Sequence, residues 1–301
     1  MRWPKDTLKS HPLRNRARPI RIRFYTKLNW QNIVKLALWQ TAGVPGDVPA
    51  NLAALEQTAI AASIAGASIL LCPECWLCGY NIGAAIPALA EPRDGASAQR
   101  IAAIARQNRL AIAYGYAERD AASGHIFNAV QVIGPDGLAL SHYRKTHLFG
   151  PDERTAYTAG NRLEAPFSLH GFNIGLLICY DVEFPENVRG VALMGADLVL
   201  IPTALTDDYS AVPDFIVPAR SVENQIYVAY CNHAGVENGM RFLGGSCVTG
   251  MDGKALAKAG SGEALLIAEI SKQTQEEAAA TYPYRSERRP ELYGAIVLPE
   301  G

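Results

Sequence analysis

No stretch of this 301-residue sequence is apolar and long enough to cross a membrane, and its first 34 residues hold no apolar run suited to secretion. A cytoplasmic setting without membrane partners is therefore expected. No Gly-, Pro- or Ser-rich linker separates two halves, and no repeat of fixed period is visible, which excludes a solenoid. Cysteine is sparse. Six in a chain of this length, with no secretion signal, point to reduced thiols rather than a disulfide framework. Cys72, Cys75 and Cys78 form a Cys-x-x-Cys-x-x-Cys run, but the fourth ligand that such a run needs is missing and Cys72 ends an apolar segment. Neither a metal nor an organic cofactor is expected.

Basic charge is also scarce, except at one end. Nine of the 28 Lys and Arg residues fall within residues 1–34, opposed there only by Asp6, which leaves 19 basic against 28 acidic residues and a formal charge of −9 on the remainder. An acidic body argues against nucleic acid as a partner. The arm could bind RNA, serve as a transit peptide, or stem from an upstream start codon read in error. The last is expected, because no periodicity or cap signal organises it. The domain is therefore placed at 35–301, with 1–34 as a basic extension that is disordered or not native. With 49% hydrophobic residues, that body can bury a large core.

Apolar runs then alternate with helical patterns. Lys35–Gln40 reads as a strand, followed by a helix from about Pro49 with Asp47 near its cap and Gly66 at its end. Ser68–Cys72 reads as a buried strand with Pro73-Glu74 at its end, and a helix through Ile101 and Ile104 precedes strands at Ala111–Tyr116 and Asn128–Ile133. Pro135-Asp-Gly137 is a tight turn, so Leu138–Tyr143 should pair back on the preceding strand. Gly150–Glu153 reads as an irregular loop. Asp197–Pro202, Tyr227–Cys231, Gly245–Gly250 and Ala264–Glu269 supply further strands, and Val212–Gln225 a helix kinked at Pro218. Sequential β–α order mixed with hairpins points to an α/β domain of two sheets with helices outside.

The stretch from Gly175 to Arg189 carries one nucleophilic atom out of an apolar run and into a helix start. Leu176–Ile178 read as strand and Pro185 as a first helical turn, so Cys179 stands at a strand-to-turn junction, as a nucleophile elbow does. A merely packed cysteine is the alternative. Glu74, Lys145 and Cys179 all fall at strand ends or just beyond them. A carboxylate, an ammonium and a thiol are costly to bury separately, whereas together they neutralise one another. Together they also make a nucleophile, since a thiol needs a base to take its proton and a cation to hold the charge that develops. His147 suggests a Cys–His pair instead, but no pattern supplies an orienting third residue.

These residues resemble the carbon–nitrogen hydrolases of the nitrilase superfamily. The matching segments are Cys72-Pro-Glu74 with Gly79-Tyr-Asn-Ile-Gly83, then Tyr143–Phe149, then Leu176–Asp181 with Phe184-Pro-Glu186 and Arg189, then Arg220 with Glu223-Asn224. The resemblance runs in order from about Lys35 to Tyr293. It implies an α-β-β-α sandwich, four layers in all, and a homodimer or higher homo-oligomer. It further implies that Cys179 attacks a carbonyl carbon, that Glu74 moves the proton from thiol to departing nitrogen, and that Lys145 and the backbone N–H of Tyr180 hold the oxyanion. Glu153 corresponds to a second carboxylate that orients Lys145, in a register uncertain against Asp152. A thioester intermediate and a small-molecule amide substrate follow.

Tyr180-Asp181 after the cysteine is similar to amidases and carbamoylases rather than to nitrilases proper, which carry Trp there. Within the superfamily the chain most resembles the aliphatic ω-aminoamidases that act on 5-aminopentanamide, through Gly79–Gly83, Tyr143–Gly150, Leu176–Asn187 and the Tyr282-Pro-Tyr tail. An N-carbamoyl amine or amino-acid amidohydrolase is the alternative; an ω-amidase of dicarboxylic monoamides, a nitrilase or an inactive binding protein stand behind it. If the Asp197–Pro202 strand neighbours that of Cys179, Asp207 or Asp208 would stand near the pocket mouth and meet a substrate ammonium.

Overall fold

The computed structural model describes residues 33–297. Strand β1 (Ile33–Gln40) leads into helix α1 (Val48–Ile64), whose N-cap Asp47 accepts a hydrogen bond from the Ala50 N–H at 3.0 Å and whose first turn carries Pro49. Ile33 and Val34 thus belong to the body, two residues before the expected boundary, and the rest of the basic arm lies outside the described residues. Strand β2 (Ile69–Leu71), short helix α2 (Ile86–Leu89), helix α3 (Ala96–Asn108) and strands β3 (Ala111–Arg119), β4 (Ile126–Ile133) and β5 (Ala139–Arg144) follow.

The second half repeats the theme. Helix α4 (Gly150–Ala156) occupies the segment expected to be irregular, because Pro151 suits a first helical turn and Asp152 and Glu153 complement the partial positive charge there. Strands β6 (Phe167–Leu169) and β7 (Phe172–Leu176) form a hairpin across His170 and Gly171, both at positive φ. Then come α5 (Pro185–Leu193), β8 (Leu198–Thr203), α6 (Val217–Asn224), β9 (Tyr227–Asn232), the hairpin of β10 (Val236–Glu237) and β11 (Met240–Arg241), β12 (Cys247–Thr249), β13 (Ala255–Lys258), β14 (Ala264–Ser271) and α7 (Lys272–Thr281). The kink expected at Pro218 falls earlier, in a π turn over Val212–Ile216; Pro218 sits within the first turn of α6, where its missing N–H costs nothing.

Two six-stranded sheets result, ordered β14-β1-β2-β3-β4-β5 and β13-β12-β9-β8-β7-β6. Each has three parallel strands at its centre, β1–β2–β3 and β7–β8–β9, flanked by antiparallel partners. Leu36, Leu38, Leu71 and Val130 of the first sheet meet Ile174, Leu176, Leu200 and Val228 of the second in one buried cluster, so the sheets pack face to face. Alternate residues such as Ala37, Leu70 and Ile112 point outward under α1 and α3. Val188, Val191 and Val217 of α5 and α6 cover the other sheet, which completes the four-layer α-β-β-α sandwich. Among the described residues, no helix is long and apolar enough to cross a membrane.

Candidate active site

Parallel central strands deliver their C-terminal ends to one side of a sheet, and the candidate residues gather there. Cys179 follows β7 after two extended residues, at φ 48°, a left-handed conformation that a side-chain-bearing residue adopts only when its surroundings impose it. A 3₁₀ turn over Cys179–Glu183 then reverses the chain into α5, whose first residue is Pro185. The side chain leaves the sheet there and lines a cavity of about 980 Å³. Tyr180 is the second residue of the same turn, where backbone N–H groups have no partner within the turn.

Glu74 stands three residues beyond β2. Its Oε1 accepts hydrogen bonds from Lys145 Nζ at 2.7 Å and from Asn128 Nδ2 at 2.7 Å, while its buried Oε2 has no partner among the described residues. Lys145, the residue after β5, is fully buried and donates also to Glu153 Oε1 at 2.7 Å. Glu153 turns inward from α4, accepting in addition from the Tyr80 hydroxyl at 2.6 Å and the Phe149 N–H at 2.9 Å, whereas Asp152 faces solvent at the cavity rim.

Burial dominates the electrostatics. It pushes Glu74 up to about 7, with the Lys145 charge pulling back and Glu153 pushing further. Burial pushes the Cys179 thiol well above its ordinary range, as does the neighbouring Glu74, while Lys145 and the Ala204 N–H act in the other direction. For Lys145 burial opposes the charge, but Glu74, the Cys179 sulfur and Glu153 outweigh it and hold the ammonium protonated. The resting site thus holds a thiol, a cation and a carboxyl that gains or loses its proton near neutrality.

The other expectations divide. Asp208 lines the cavity, but Asp207 does not: its N–H donates to the Arg241 carbonyl at 3.2 Å and its carboxylate lies 3.6 Å from Arg241 Nε, which turns it toward β11. His147 does have an orienting carboxylate, Asp181, 3.0 Å from its Nδ1, yet the ring stacks on Phe184 and makes no hydrogen bond to Cys179. Cys72, Cys75 and Cys78 are free thiols divided between two separate apolar clusters. No group of ligating side chains that could hold a metal occurs among the described residues. Asn128, Tyr80 and Glu183, which shape the site, escaped the sequence reading. Asn128 lies in an apolar strand that carries a second amide, Gln131, so nothing marks it out, and Glu183 lies one turn beyond Cys179 in the central stretch.

The carbon–nitrogen hydrolase family model matches residues 35–280. A Pseudomonas protegens protein described as a hydrolase in the pqqF 5′ region is 48% identical over 261 residues, covering 86% of this chain and 90% of that protein. An (R)-stereoselective amidase from a Pseudomonas species is 35% identical, over 87% of this chain and 93% of its own length. Among solved structures, a double mutant of the amidase from Nesterenkonia sp. AN1 in complex with acrylamide superposes with a TM-score of 0.80 at 33% identity, over 90% of this chain and all of that one. Another mutant of that amidase carries the acetamide moiety of fluoroacetamide covalently on its active-site cysteine, with a TM-score of 0.76 at 33% identity over 89% of this chain and 98% of that one. This chain belongs to the carbon–nitrogen hydrolase family, on the amidase branch of the nitrilase superfamily, and is a hydrolase of carbon–nitrogen bonds built around a cysteine.

Proposed function

We propose that the chain hydrolyses small aliphatic amides carrying a terminal ammonium, of the type of 5-aminopentanamide, to the carboxylic acid and ammonia through a thioester on Cys179. Glu74 Oε2, which no other group occupies, takes the thiol proton as sulfur attacks the amide carbon. The oxyanion that forms is held by the Lys145 ammonium and the Tyr180 N–H. Glu74 gives its proton to the amide nitrogen, the C–N bond breaks, and ammonia leaves the acyl thioester. Water then attacks, passing a proton to Glu74, and collapse of the second tetrahedral adduct releases the acid as Glu74 returns the proton to sulfur. Glu153 keeps Lys145 in place throughout. The donor set is complete without metal or cofactor.

One observation carries the substrate class. Every charged side chain lining the cavity is a carboxylate, among them Asp152, Glu183 and Asp208; no described Lys, Arg or His lines it. Such a field favours a cationic or neutral amide and opposes a dicarboxylic monoamide, whose free carboxylate would enter against three like charges. The Nesterenkonia amidase, seen with acrylamide and with butyramide, supports substrates of this size. The test is ammonia release from ω-ammonium, neutral and ω-carboxylate amides of equal length, with nitriles and carbamoyl compounds beside them. A ratio of kcat/KM near one between 5-aminopentanamide and pentanamide sinks the ammonium preference, and carbon dioxide among the products assigns the chain to the carbamoyl amidohydrolases instead. The resemblance extends the reading to a homodimer or higher homo-oligomer, which sedimentation tests.

A further inference from the structure

We infer that Glu183 is the residue that reads the charge at the far end of the substrate's acyl chain; the inference rests on the amidase reading above and names the group behind its selectivity. The cavity offers four carboxylates, and three of them are otherwise engaged or immersed in solvent. Glu153 is saturated by Lys145, Tyr80 and the Phe149 N–H. Asp208 is exposed and accepts the Thr206 hydroxyl at 2.5 Å, and Asp152 is exposed in the first turn of α4. Charges so placed are screened by water and attract a ligand weakly.

Glu183 differs on both counts. It is half-buried, and its carboxylate makes no hydrogen bond or ion pair with any described residue. Both cations that act on it are otherwise engaged: Lys145 holds Glu74 and Glu153 at 2.7 Å each, and Arg220 donates to the backbone carbonyls of Val182 at 2.9 Å and Glu183 at 2.8 Å, with Glu223 at 3.2 Å on its third side. Burial raises the Glu183 carboxyl above its ordinary range, with Lys145 and Arg220 pulling back, as fits a carboxylate short of a partner. Its place in the chain sets the reach. Cys179 and Glu183 are the first and last residues of one 3₁₀ turn, and four steps of about 2 Å put their backbones roughly 8 Å apart on the same cavity wall. An acyl chain of four or five carbons bound to the sulfur spans that interval, so its terminal ammonium meets the one half-buried lining carboxylate without a partner.

The test uses three amides of matched length, 5-aminopentanamide, pentanamide and the monoamide of glutaric acid, with the full-length protein and its Glu183→Gln and Glu183→Lys variants. Glu183→Gln keeps the shape and should lower the kcat/KM ratio of ammonium to neutral amide at least tenfold. Glu183→Lys should invert the order, with the carboxylate amide now turned over faster than the ammonium amide. A ratio that survives Glu183→Gln within twofold overturns the inference, as does an equal fall on both amides, which would put Glu183 in the chemistry or the fold instead. If wild type itself shows no ammonium preference, the substrate reading fails, and Glu183→Lys alone decides the subsite: a tenfold gain on the carboxylate amide sustains it, no gain ends it.

Discussion

Lys145 grips Glu74 by one oxygen only: Nζ lies 2.7 Å from Oε1, and the second carboxylate oxygen is left buried without a partner among the described residues. The same ammonium therefore serves two ends, lowering the basicity that burial gives Glu74 and offering a positive charge where an oxyanion would form. Lys145→Ala should lower kcat at least about a hundredfold, the size of a lost oxyanion contact. The sign of the pH effect follows. A base with a pKa of about 7 gives kcat/KM an acid limb that rises to a plateau above neutrality. Removing the cation raises that pKa further, so the residual activity of Lys145→Ala should need a higher pH than wild type. An unmoved acid limb would show that another group titrates.

Glu74→Gln keeps the shape and the Asn128 contact while removing the proton shuttle, so it should be as severe as loss of Lys145. Intact-protein mass spectrometry separates the two half-reactions. A thioester formed as fast in Glu74→Gln as in wild type would confine Glu74 to the hydrolysis of the thioester.

Cys179→Ala should abolish turnover with the fold intact, whereas alanine at Cys72, Cys75 or Cys78 should leave the chemistry alone and cost only packing, on the order of 1 kcal/mol each. All six cysteines are buried, but only Cys179 lines the large cavity. A Cys179→Ala enzyme with a tenth of wild-type activity, a loss of only about 1.4 kcal/mol, would exclude covalent catalysis.

The fold was legible because its central strands are short apolar runs ended by Pro, Gly or a charged residue, so β2 with Glu74 and β7 with Cys179 stand out. Three elements were not. Helix α4 hides in a Gly-Pro segment that reads equally well as a turn, β6 is only three residues with Ser168 exposed between two half-buried ones, and α7 buries only Gln275, so its pattern has no apolar stripe. At the site, positions fixed by local chain direction could be read from strand ends. Glu183 and Asn128 could not, because their value lies in what faces them in space, the cavity for Glu183 and the Glu74 carboxylate for Asn128, and Asp207 failed because a two-strand contact with Arg241 outweighed its nearness to Asp208 in sequence.

The basic arm offers no core-facing pattern, and the first strand starts at Ile33. Deleting residues 1–32 should therefore leave kcat and melting temperature nearly unchanged. Ile33 and Val34 must stay, since they pair with Ser271 and Ile270 in β14. Cutting to Lys35 should lower the melting temperature by exposing the end of that ladder, and a loss of folding already at residue 32 would place the arm against the body or a neighbouring subunit.

Gly115 makes a sharp demand on the backbone beside the site. It lies in β3 directly beneath the Pro73-Glu74-Cys75 turn, and a Cβ there would fall 2.5 Å from the Pro73 carbonyl oxygen and the Cys75 nitrogen and 2.8 Å from Glu74 Cα. All three are main-chain atoms, so no flexible side chain can yield; the turn itself must move. The turn carries Glu74, whose Oε1 is fixed by Lys145 and Asn128, so a shift of the backbone displaces the carboxylate against those two contacts. Overpacking of this kind costs about 1–3 kcal/mol of stability, and misplacing a reacting group by about 1 Å costs on the order of a hundredfold in rate. Gly115→Ala should thus lose kcat far out of proportion to its change in melting temperature. Gly175→Ala is the comparison, because its Cβ would meet the side chain of Val191 rather than backbone of the site. It should lose stability first. Equal ratios of activity loss to stability loss in the two variants would show that Gly115 supports the core in general and not the placement of Glu74.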